Sequence, residues 1–191
     1  GAEVTEGDTR VRFDRSMVEE LVAKAPSEFS MYARNPAHNV RYGGNNMNFA
    51  LVASPPNVSD LAGGRRQGNM KDFCDLIRLG QSLNIVHMIG GYPCEPADIP
   101  ANIRHLKAES ETIKLSDKGA FGYSLGYYRI HDSIEMARIS RGITMEQMRA
   151  EPSVMTTVNA NSPLQYDIPM LIGMMEMAKL GQPVNVTPFT L

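Results

Sequence analysis

Glycine, aromatic, amide and hydroxyl residues stand at the ends of four short apolar runs of the sequence. Tyrosine rings can face a cation through their π surfaces, and asparagine offers both a donor and an acceptor. Glycine lets a ligand approach the backbone closely, since no Cβ intrudes. These residue types could therefore bind and orient a small ligand. The candidates are Gly90, Gly91, Tyr92, Tyr123, Asn159, Asn161, Ser162, Thr187 and Phe189.

Each kind of candidate also has a purely structural explanation, and the sequence leaves both open. The glycines could form a strand-to-loop turn that needs a positive φ. An aromatic residue at such a position is more often used for packing. The asparagines could belong to a turn before Pro163.

A metal site and a phosphate site are both disfavoured. His87, Cys94 and His105 match no compact zinc pattern, and His105 falls within a predicted helix. The Gly-rich segment RYGGNNMNF (41–49) lacks the Lys and Ser/Thr of a P-loop. We therefore predict no metal ligand, and a hairpin turn rather than a phosphate site at 41–49.

The elements that position the candidates alternate regularly from residue 69 onward. Four runs are predicted as parallel strands, each followed by a helix except the last: 84–90, 119–124, 153–159 and 183–188. Their spacing of about 30 to 35 residues is that of a βαβ unit. The pattern favours an α/β fold of the (β/α)8 TIM-barrel type, of which the chain holds about the first four βα units. Such barrels bind ligands at the carboxyl ends of their strands, where the candidates lie.

Local signals mark where the helices begin. Asn69 can cap the first helix, and Asp98 is expected to open another with Pro100 in its first turn. Thr144 and Gln147 have the spacing of a capping box, and Asp167 is expected to cap the last helix.

The chain divides at about residue 68 by its change of pattern. Residues 1–68 are predicted to form a small β-rich N-terminal region, and residues 69–191 the first half of the barrel. Strands are expected at 9–13 and 28–34, with an amphipathic helix between them. The apolar face of that helix carries Met17, Val18, Leu21 and Val22.

Composition excludes several classes of protein. The formal net charge of the 191 residues is −2, and the 19 lysines and arginines are scattered, which is unlike a nucleic-acid binder. We find no secretory signal and no apolar run long enough for a membrane span, and we therefore expect a cytoplasmic protein. The basic residues Arg65, Arg66 and Lys71 could meet an acidic partner or could simply be solvated.

Four segments carry a resemblance that covers nearly the whole chain in order. They are RVRFDRSMVEELVAKAPSEFSMYARNP, RYGGNNMNF, SPLQYD (162–167) and GQPVNVTPFTL (181–191). The sequence resembles the trimethylamine:corrinoid methyltransferase family. The resemblance implies a (β/α)8 barrel that moves a methyl group from a methylamine or a quaternary amine to the cobalt of a corrinoid.

The resemblance also implies partners. The corrinoid is carried by a separate small protein, so we expect no cofactor bound tightly by this chain. Trimethylamine enzymes of the family carry a pyrrolysine in the second half of the barrel, beyond the matching residues, and other members use betaines. The tyrosines and asparagines named above are then expected to face a methylated ammonium or the corrinoid.

Two functions of different classes follow. The first is a methyltransferase, and the second is a non-catalytic amine-binding or oligomerisation fragment of such a barrel. A barrel enzyme with a phosphate site is disfavoured, because that site depends on the last two units. We expect this chain alone to be inactive and to form a homo-oligomer that covers its open edge. The side chains expected to face the barrel interior are Val154, Thr156, Val158, Val184 and Val186.

Overall fold

A computed structural model describes residues 1–161 and 164–188 of the chain. The elements of the first part are β1 (Ala2–Val4), β2 (Val11–Phe13), α1 (Arg15–Val22), β3 (Glu28–Met31), a 3-10 turn (Pro36–His38), β4 (Val40–Gly43), β5 (Asn57–Asp60) and β6 (Gly64–Gln67). Those of the second part are α2 (Met70–Ser82), α3 (Arg104–Leu115), β7 (Ala120–Phe121), α4 (Tyr127–Arg141), α5 (Met145–Ala150), β8 (Val154–Asn161), β9 (Gln165–Tyr166), α6 (Ile168–Lys179) and β10 (Val184–Pro188).

Parallel strands in chain order form the main sheet. β8 lies in the middle, with β10 parallel on one side and β7 parallel on the other. Beyond β7, Gly119 forms a parallel bridge to Met88, which forms a further parallel bridge to Ala50. The strands predicted at 153–159 and 183–188 are confirmed, and helices separate them. At 119–124 the parallel direction is confirmed, but the strand is shorter than predicted and spans only Ala120–Phe121.

The strand predicted at 84–90 is reduced to the single bridge residue Met88. The ammonium of a residue distant in sequence, Lys118, donates to the carbonyl oxygens of Gly80 (2.8 Å), Leu83 (2.9 Å) and Val86 (2.6 Å). Of these three carbonyls only that of Val86 lies in the predicted strand, and its bond to the ammonium occupies an acceptor just before Met88.

Helices cover one face of the sheet. Val154, Thr156 and Val158 of β8 are fully buried on that face, and Val154 packs with Ile134 of α4 and Met177 of α6. Val184 and Val186 of β10 pair in parallel register with Thr156 and Val158, so they lie on the same side of the sheet. The prediction that these five side chains point to the barrel interior is therefore wrong. Their β-branched shape suits either face of a strand, and strand periodicity alone does not tell which face the helices take.

Helix starts were predicted correctly where the capping residue and its hydrogen-bond partner are close in sequence. The capping boxes of Asn69 with Asp72 and of Thr144 with Gln147 are confirmed. The predicted helix start at Asp98 is wrong, since α3 begins at Arg104. The Asp98 carboxylate accepts instead from the Met70 backbone N–H at 2.8 Å and so caps α2.

The last helix begins where the sequence predicts, but without the expected side-chain cap. Asp167 occupies the N-cap position of α6, but its side chain makes no capping hydrogen bond to that helix. Its carboxylate oxygen accepts instead from the Asn161 amide at 3.1 Å. Asp167 therefore ties the end of β8 to the start of α6.

Three antiparallel pairs precede the main sheet: β1 with β2, β3 with β4, and β5 with β6. α1 starts at its N-cap Asp14, and none of its residues is buried. The expected hairpin at 41–49 is wrong, because β4 pairs back to β3 and Ala50 lies beside Met88 instead.

The β3–β4 pair is attached to the amino-terminal end of the main sheet. The Tyr32 N–H donates to the Pro152 carbonyl at 2.7 Å, immediately before β8. The Asn35 N–H donates to the Asp117 carbonyl at 3.2 Å, shortly before β7. Residues of the N-terminal region therefore close the end of the sheet from which the strands start.

Candidate functional site

The side of the main sheet that carries Met155, Thr157 and Asn159, here named the open face, is not the side covered by helices. These three residues alternate along β8 with its buried residues and are only half-buried. Parallel register pairs Thr157 with Asn185, and Asn159 with Thr187. Two predicted site residues, Asn159 and Thr187, are thereby neighbours at the carboxyl ends of adjacent strands.

A cavity of about 720 Å³ lies against the amino-terminal part of the open face. Phe29 and Tyr42 line the cavity at the amino-terminal end of the sheet, and their stacked rings have centroids 5.1 Å apart. The described residues that line it carry no charged side chain. They are Ala25, Pro26, Phe29, Tyr42, Ala50, Met88, Gly90, Phe121, Pro152, Met155, Thr157, Gly181, Gln182, Pro183, Val184 and Asn185.

The open face changes from apolar to polar along the strands. Met88 and Met155 line the same cavity as the Phe29 and Tyr42 rings, near the amino-terminal ends of the strands. Thr157 and its neighbour Asn185 lie nearer the carboxyl ends. The Asn185 amide donates to Thr187 Oγ1 at 3.4 Å, one step nearer the carboxyl end. Ligands of parallel α/β sheets bind at the carboxyl ends of the strands. We therefore take the polar end of the open face as the candidate site, and its apolar end as packing.

The two predicted glycines are placed differently from each other. Gly90 lines the cavity, but an added Cβ would lie 2.6 Å from the Cβ of Ala50 and from the carbonyl oxygen of Leu51. Gly91 has φ +141°, a conformation that side chains rarely adopt. The structure thus gives both glycines a backbone reason, and ligand contact at either one stays a prediction.

Tyr92 and Tyr123 lie against each other, with ring centroids 5.3 Å apart. Tyr92 is buried and packs edge-on against Phe73, while the Arg129 guanidinium lies 5.4 Å from the Tyr123 ring centroid. Burial raises the pKa of both phenols. The rings are thus engaged with protein groups, as the packing explanation requires, and a role in facing substrate stays a prediction.

The remaining predicted residues follow β8 and β10. Asn161 is exposed, and its bond to Asp167 belongs to the chain reversal in which β9 pairs antiparallel with the end of β8. This contact fits the turn explanation for Asn161. Ser162 and Phe189 lie outside the described residues.

Comparison with known proteins decides the family. The family model described as trimethylamine methyltransferase matches residues 1–191. The chain belongs to this family. It is also 36% identical over 177 residues to the glycine betaine methyltransferase of Desulfitobacterium hafniense (strain Y51), across 93% of this chain. The match spans 37% of that relative, so the chain corresponds to well under half of its length.

Three open-face residues of this trimethylamine methyltransferase family member were missed by sequence reasoning: Phe121, Thr157 and Asn185. Phe121 pairs with Met155 across β7 and β8, and Thr157 pairs with Asn185. The signal available was strand alternation, since Thr157 precedes Asn159 by two residues and Asn185 precedes Thr187 by two. They were missed because only residues at the ends of the strands were taken as candidates.

His87, Cys94 and His105, the residues considered for a zinc site, have different neighbours in this family member. His87 Nδ1 accepts from the Phe49 N–H at 2.9 Å, and His105 Nε2 contacts Asp132 Oδ2 at 2.8 Å. Cys94 is buried, and burial raises the pKa of its thiol to about 11. Within residues 1–161 and 164–188, no three His, Cys, Asp or Glu side chains are grouped as metal ligands.

The basic residues considered for partner binding are largely paired. The Arg66 guanidinium donates to Asp72 and to Asp60, and Lys71 Nζ lies 2.6 Å from Asp75. These ion pairs favour the solvated explanation for the cluster in the family member. In the described part of the chain, no helix combines the length and the apolar character that crossing a bilayer requires.

Proposed function

We propose that this chain is part of a corrinoid-dependent methyltransferase that removes a methyl group from a methylamine or a quaternary amine. The family match along residues 1–191 carries the proposal. The relative named a glycine betaine methyltransferase extends the substrate class from a tertiary amine to a betaine.

The chain forms, in this proposal, about the first four βα units of a (β/α)8 barrel, after a small N-terminal region. The parallel order of Met88, β7, β8 and β10 in chain sequence supports it. The helices on a single face of the sheet support it as well, because the other face of a barrel strand points inward.

The open face is the proposed substrate side. Asn159 and Thr187 can donate or accept hydrogen bonds at its carboxyl end, which would orient an amine or a carboxylate. The apolar residues below them, Met155 and Phe121, would exclude water from the base of the site. Holding a small substrate in one orientation is the main contribution such a protein makes to a methyl displacement.

The corrinoid, when bound, supplies the cobalt that accepts the methyl group. The donor set fits a corrinoid carried by a partner, because the open face offers amide, hydroxyl and apolar groups that suit a small substrate. Residues Asn159 and Thr187 would hold the substrate at the rim where that partner docks. We also propose a cytoplasmic homo-oligomer.

The test is methyl transfer to a reduced corrinoid protein by the whole methyltransferase of which this chain is proposed to be part. Trimethylamine and glycine betaine are supplied separately, with glycine as the unmethylated control, and the corrinoid absorption spectrum is followed. We expect a spectral change and loss of one methyl group from one of the two methylated substrates. Binding of either amine by calorimetry, with no transfer, would favour the alternative of a non-catalytic amine-binding protein.

A further inference from the structure

Two buried polar atoms face the same small space between the helices and the sheet. Within the described part of the chain, Tyr92 Oη and Glu109 Oε2 have no hydrogen-bond partner. A cavity of about 30 Å³ is lined by Tyr92, Glu109 and Ser133 among apolar side chains such as Ile89 and Met136. That volume holds one water molecule, and buried waters usually satisfy polar atoms of this kind.

Ser133 has more partners than one hydroxyl hydrogen can serve. Its Oγ lies 2.5 Å from Glu109 Oε1 and 3.0 Å from the Arg129 carbonyl, both of which accept hydrogen bonds. The Tyr123 backbone N–H donates to the same Oγ at 3.1 Å. A serine hydroxyl donates one hydrogen and accepts two. All three contacts are satisfied together only if Glu109 itself brings a proton.

We propose that Glu109 is a neutral carboxylic acid that donates its proton to Ser133 Oγ, and that an enclosed water joins its Oε2 to the Tyr92 hydroxyl. Ser133 then donates its own hydrogen to the Arg129 carbonyl and accepts from the Tyr123 N–H. Every buried polar atom of the group has a partner in this arrangement. Glu109 acts as a positioning residue, because it holds the backbone of Tyr123 through Ser133.

The charged surroundings favour the neutral form. Asp132 of α4 is a second carboxylate near Glu109, and it opposes ionisation. The nearby Arg129 guanidinium is directed elsewhere, over the Tyr123 ring, and the His105 ring of α3 contacts Asp132. The Tyr92 and Tyr123 phenols add no positive charge. Burial is the main cause that raises the pKa of Glu109, to about 8.

Close packing fixes the position of Ser133. An added Cβ on Gly122 would lie 3.3 Å from the Ser133 Cβ and 2.8 Å from Val154 Cγ1, so only glycine lets α4 approach the sheet here. Tyr123 follows β7 at the carboxyl end of the sheet. The value of this arrangement for substrate binding rests on the proposed function, but the protonation itself does not.

The first experiment measures protonation directly in the intact protein. Infrared spectra at pH 7 are recorded for wild type, Glu109→Gln and the control Glu111→Gln, whose target pairs with Lys114 at the surface of the same helix. We expect the carbonyl band of a protonated acid in wild type and in the control, and its loss in Glu109→Gln. An ionised carboxylate at Glu109 at pH 7 would overturn the proposal.

The second experiment reads the positioning role from the Tyr123 amide. In protein labelled with ¹⁵N-tyrosine, its NMR shift is followed from pH 6 to pH 9. We expect it to titrate near pH 8 in wild type and Glu111→Gln, and to stay constant in Glu109→Gln, because glutamine keeps a donor for Ser133. An amide shift with the same pH dependence in all three proteins would contradict the role.

The water is tested by a high-resolution crystal structure of wild type and of Tyr92→Phe. We expect one water between Oη and Oε2 in wild type and an empty site in the variant. An empty cavity in wild type would refute the water. Because none of these measurements uses methyl transfer, an inactive protein with a protonated Glu109 would refute the proposed function alone.

Discussion

Asp117 joins three elements through one carboxylate. It accepts from the Asn35 amide at 3.0 Å and the Gln81 amide at 2.7 Å, and it pairs with His38 Nδ1 at 2.7 Å. Burial alone would raise the pKa of this carboxyl, but the three hydrogen bonds outweigh it and lower the pKa to about 2. The charged form therefore attaches the N-terminal region and α2 to the start of β7.

We expect Asp117→Asn to lower the free energy of unfolding by about 2 kcal/mol at pH 7, since a pKa unit corresponds to 1.36 kcal/mol. A depressed pKa contributes stability above the unfolded value of 3.8 and loses it as pH falls towards 2. Urea unfolding at pH 7, 4 and 2.5 measures this, and the difference between wild type and variant should shrink below pH 4. The surface variant Asp75→Asn is the control, and an equal loss there would contradict the assignment.

Asn159 is the residue on which the proposed substrate side can be tested. In the whole methyltransferase that we propose, we expect Asn159→Ala to lower kcat/KM for methyl transfer about ten-fold, because one lost hydrogen bond to substrate is worth about 1.4 kcal/mol. Its thermal unfolding should be unchanged, since Asn159 is only half-buried. Asn57→Ala in β5 serves as the control. Wild-type kinetics in Asn159→Ala would remove this residue from the site.

At the scale of elements, the carboxyl end of α2 depends on Lys118. Three carbonyl oxygens from Gly80 to Val86 share its ammonium, and the residue is buried. These contacts extend from the last turn of α2 to a residue just before Met88. The Lys118 ammonium thus supplies hydrogen bonds to carbonyl oxygens that would otherwise lack a backbone donor at the end of a helix.

We expect Lys118→Met to lower the free energy of unfolding by about 3 kcal/mol, because buried carbonyls lose their donor while the apolar stem is kept. Hydrogen exchange at residues 83–88 should become faster in the variant. The control Lys114→Met removes an exposed ammonium on α3 and should change stability little. Equal stability of wild type and Lys118→Met would show that water satisfies these carbonyls.

Prediction from sequence succeeded where cause and effect lie close together in the chain. The capping boxes at Asn69 and Thr144 need only a partner three residues away. The strand at 84–90 was predicted too long, and Lys118, about thirty residues further along the chain, binds the Val86 carbonyl within it. Asp98 failed for a similar reason, since it caps a helix that begins 28 residues earlier.

The candidate site was predicted only in part, because the sequence shows where a strand ends but not which face of it is covered. Strand ends gave Asn159 and Thr187, which do lie side by side. The face of each strand was not predictable, because β-branched residues such as Val158 suit a helix-covered face as well as a barrel interior. Glu109 was missed entirely, since a glutamate within a helix usually points to solvent.

At the scale of the molecule, β10 is an edge strand within the described residues, because it pairs only with β8. Its Val186 side chain is 48% exposed. An exposed apolar edge invites pairing with another chain, and a charge on it prevents pairing. The homo-oligomer that we propose can therefore be tested at this strand.

We expect the 191-residue chain to be larger than a monomer by light scattering, and Val186→Lys to shift it towards the monomer. Val52→Lys is the control, since Val52 is also exposed but lies outside the named strands. The far-ultraviolet circular dichroism of both variants should match that of wild type. A monomeric wild type, or an oligomer unaffected by Val186→Lys, would show that the edge is covered in another way.

The contact between Tyr32 and Pro152 also has a consequence for synthesis on the ribosome. The β3–β4 pair leaves the exit tunnel 120 residues before the sheet end that it covers, as the positions of Tyr32 and Pro152 give by subtraction. At about 5–20 residues per second, this is a wait on the order of ten seconds. Until then Phe29 and Tyr42 can pack against each other but not against the sheet. We therefore expect the unpaired side of the β3–β4 pair to be exposed to other chains until β8 emerges.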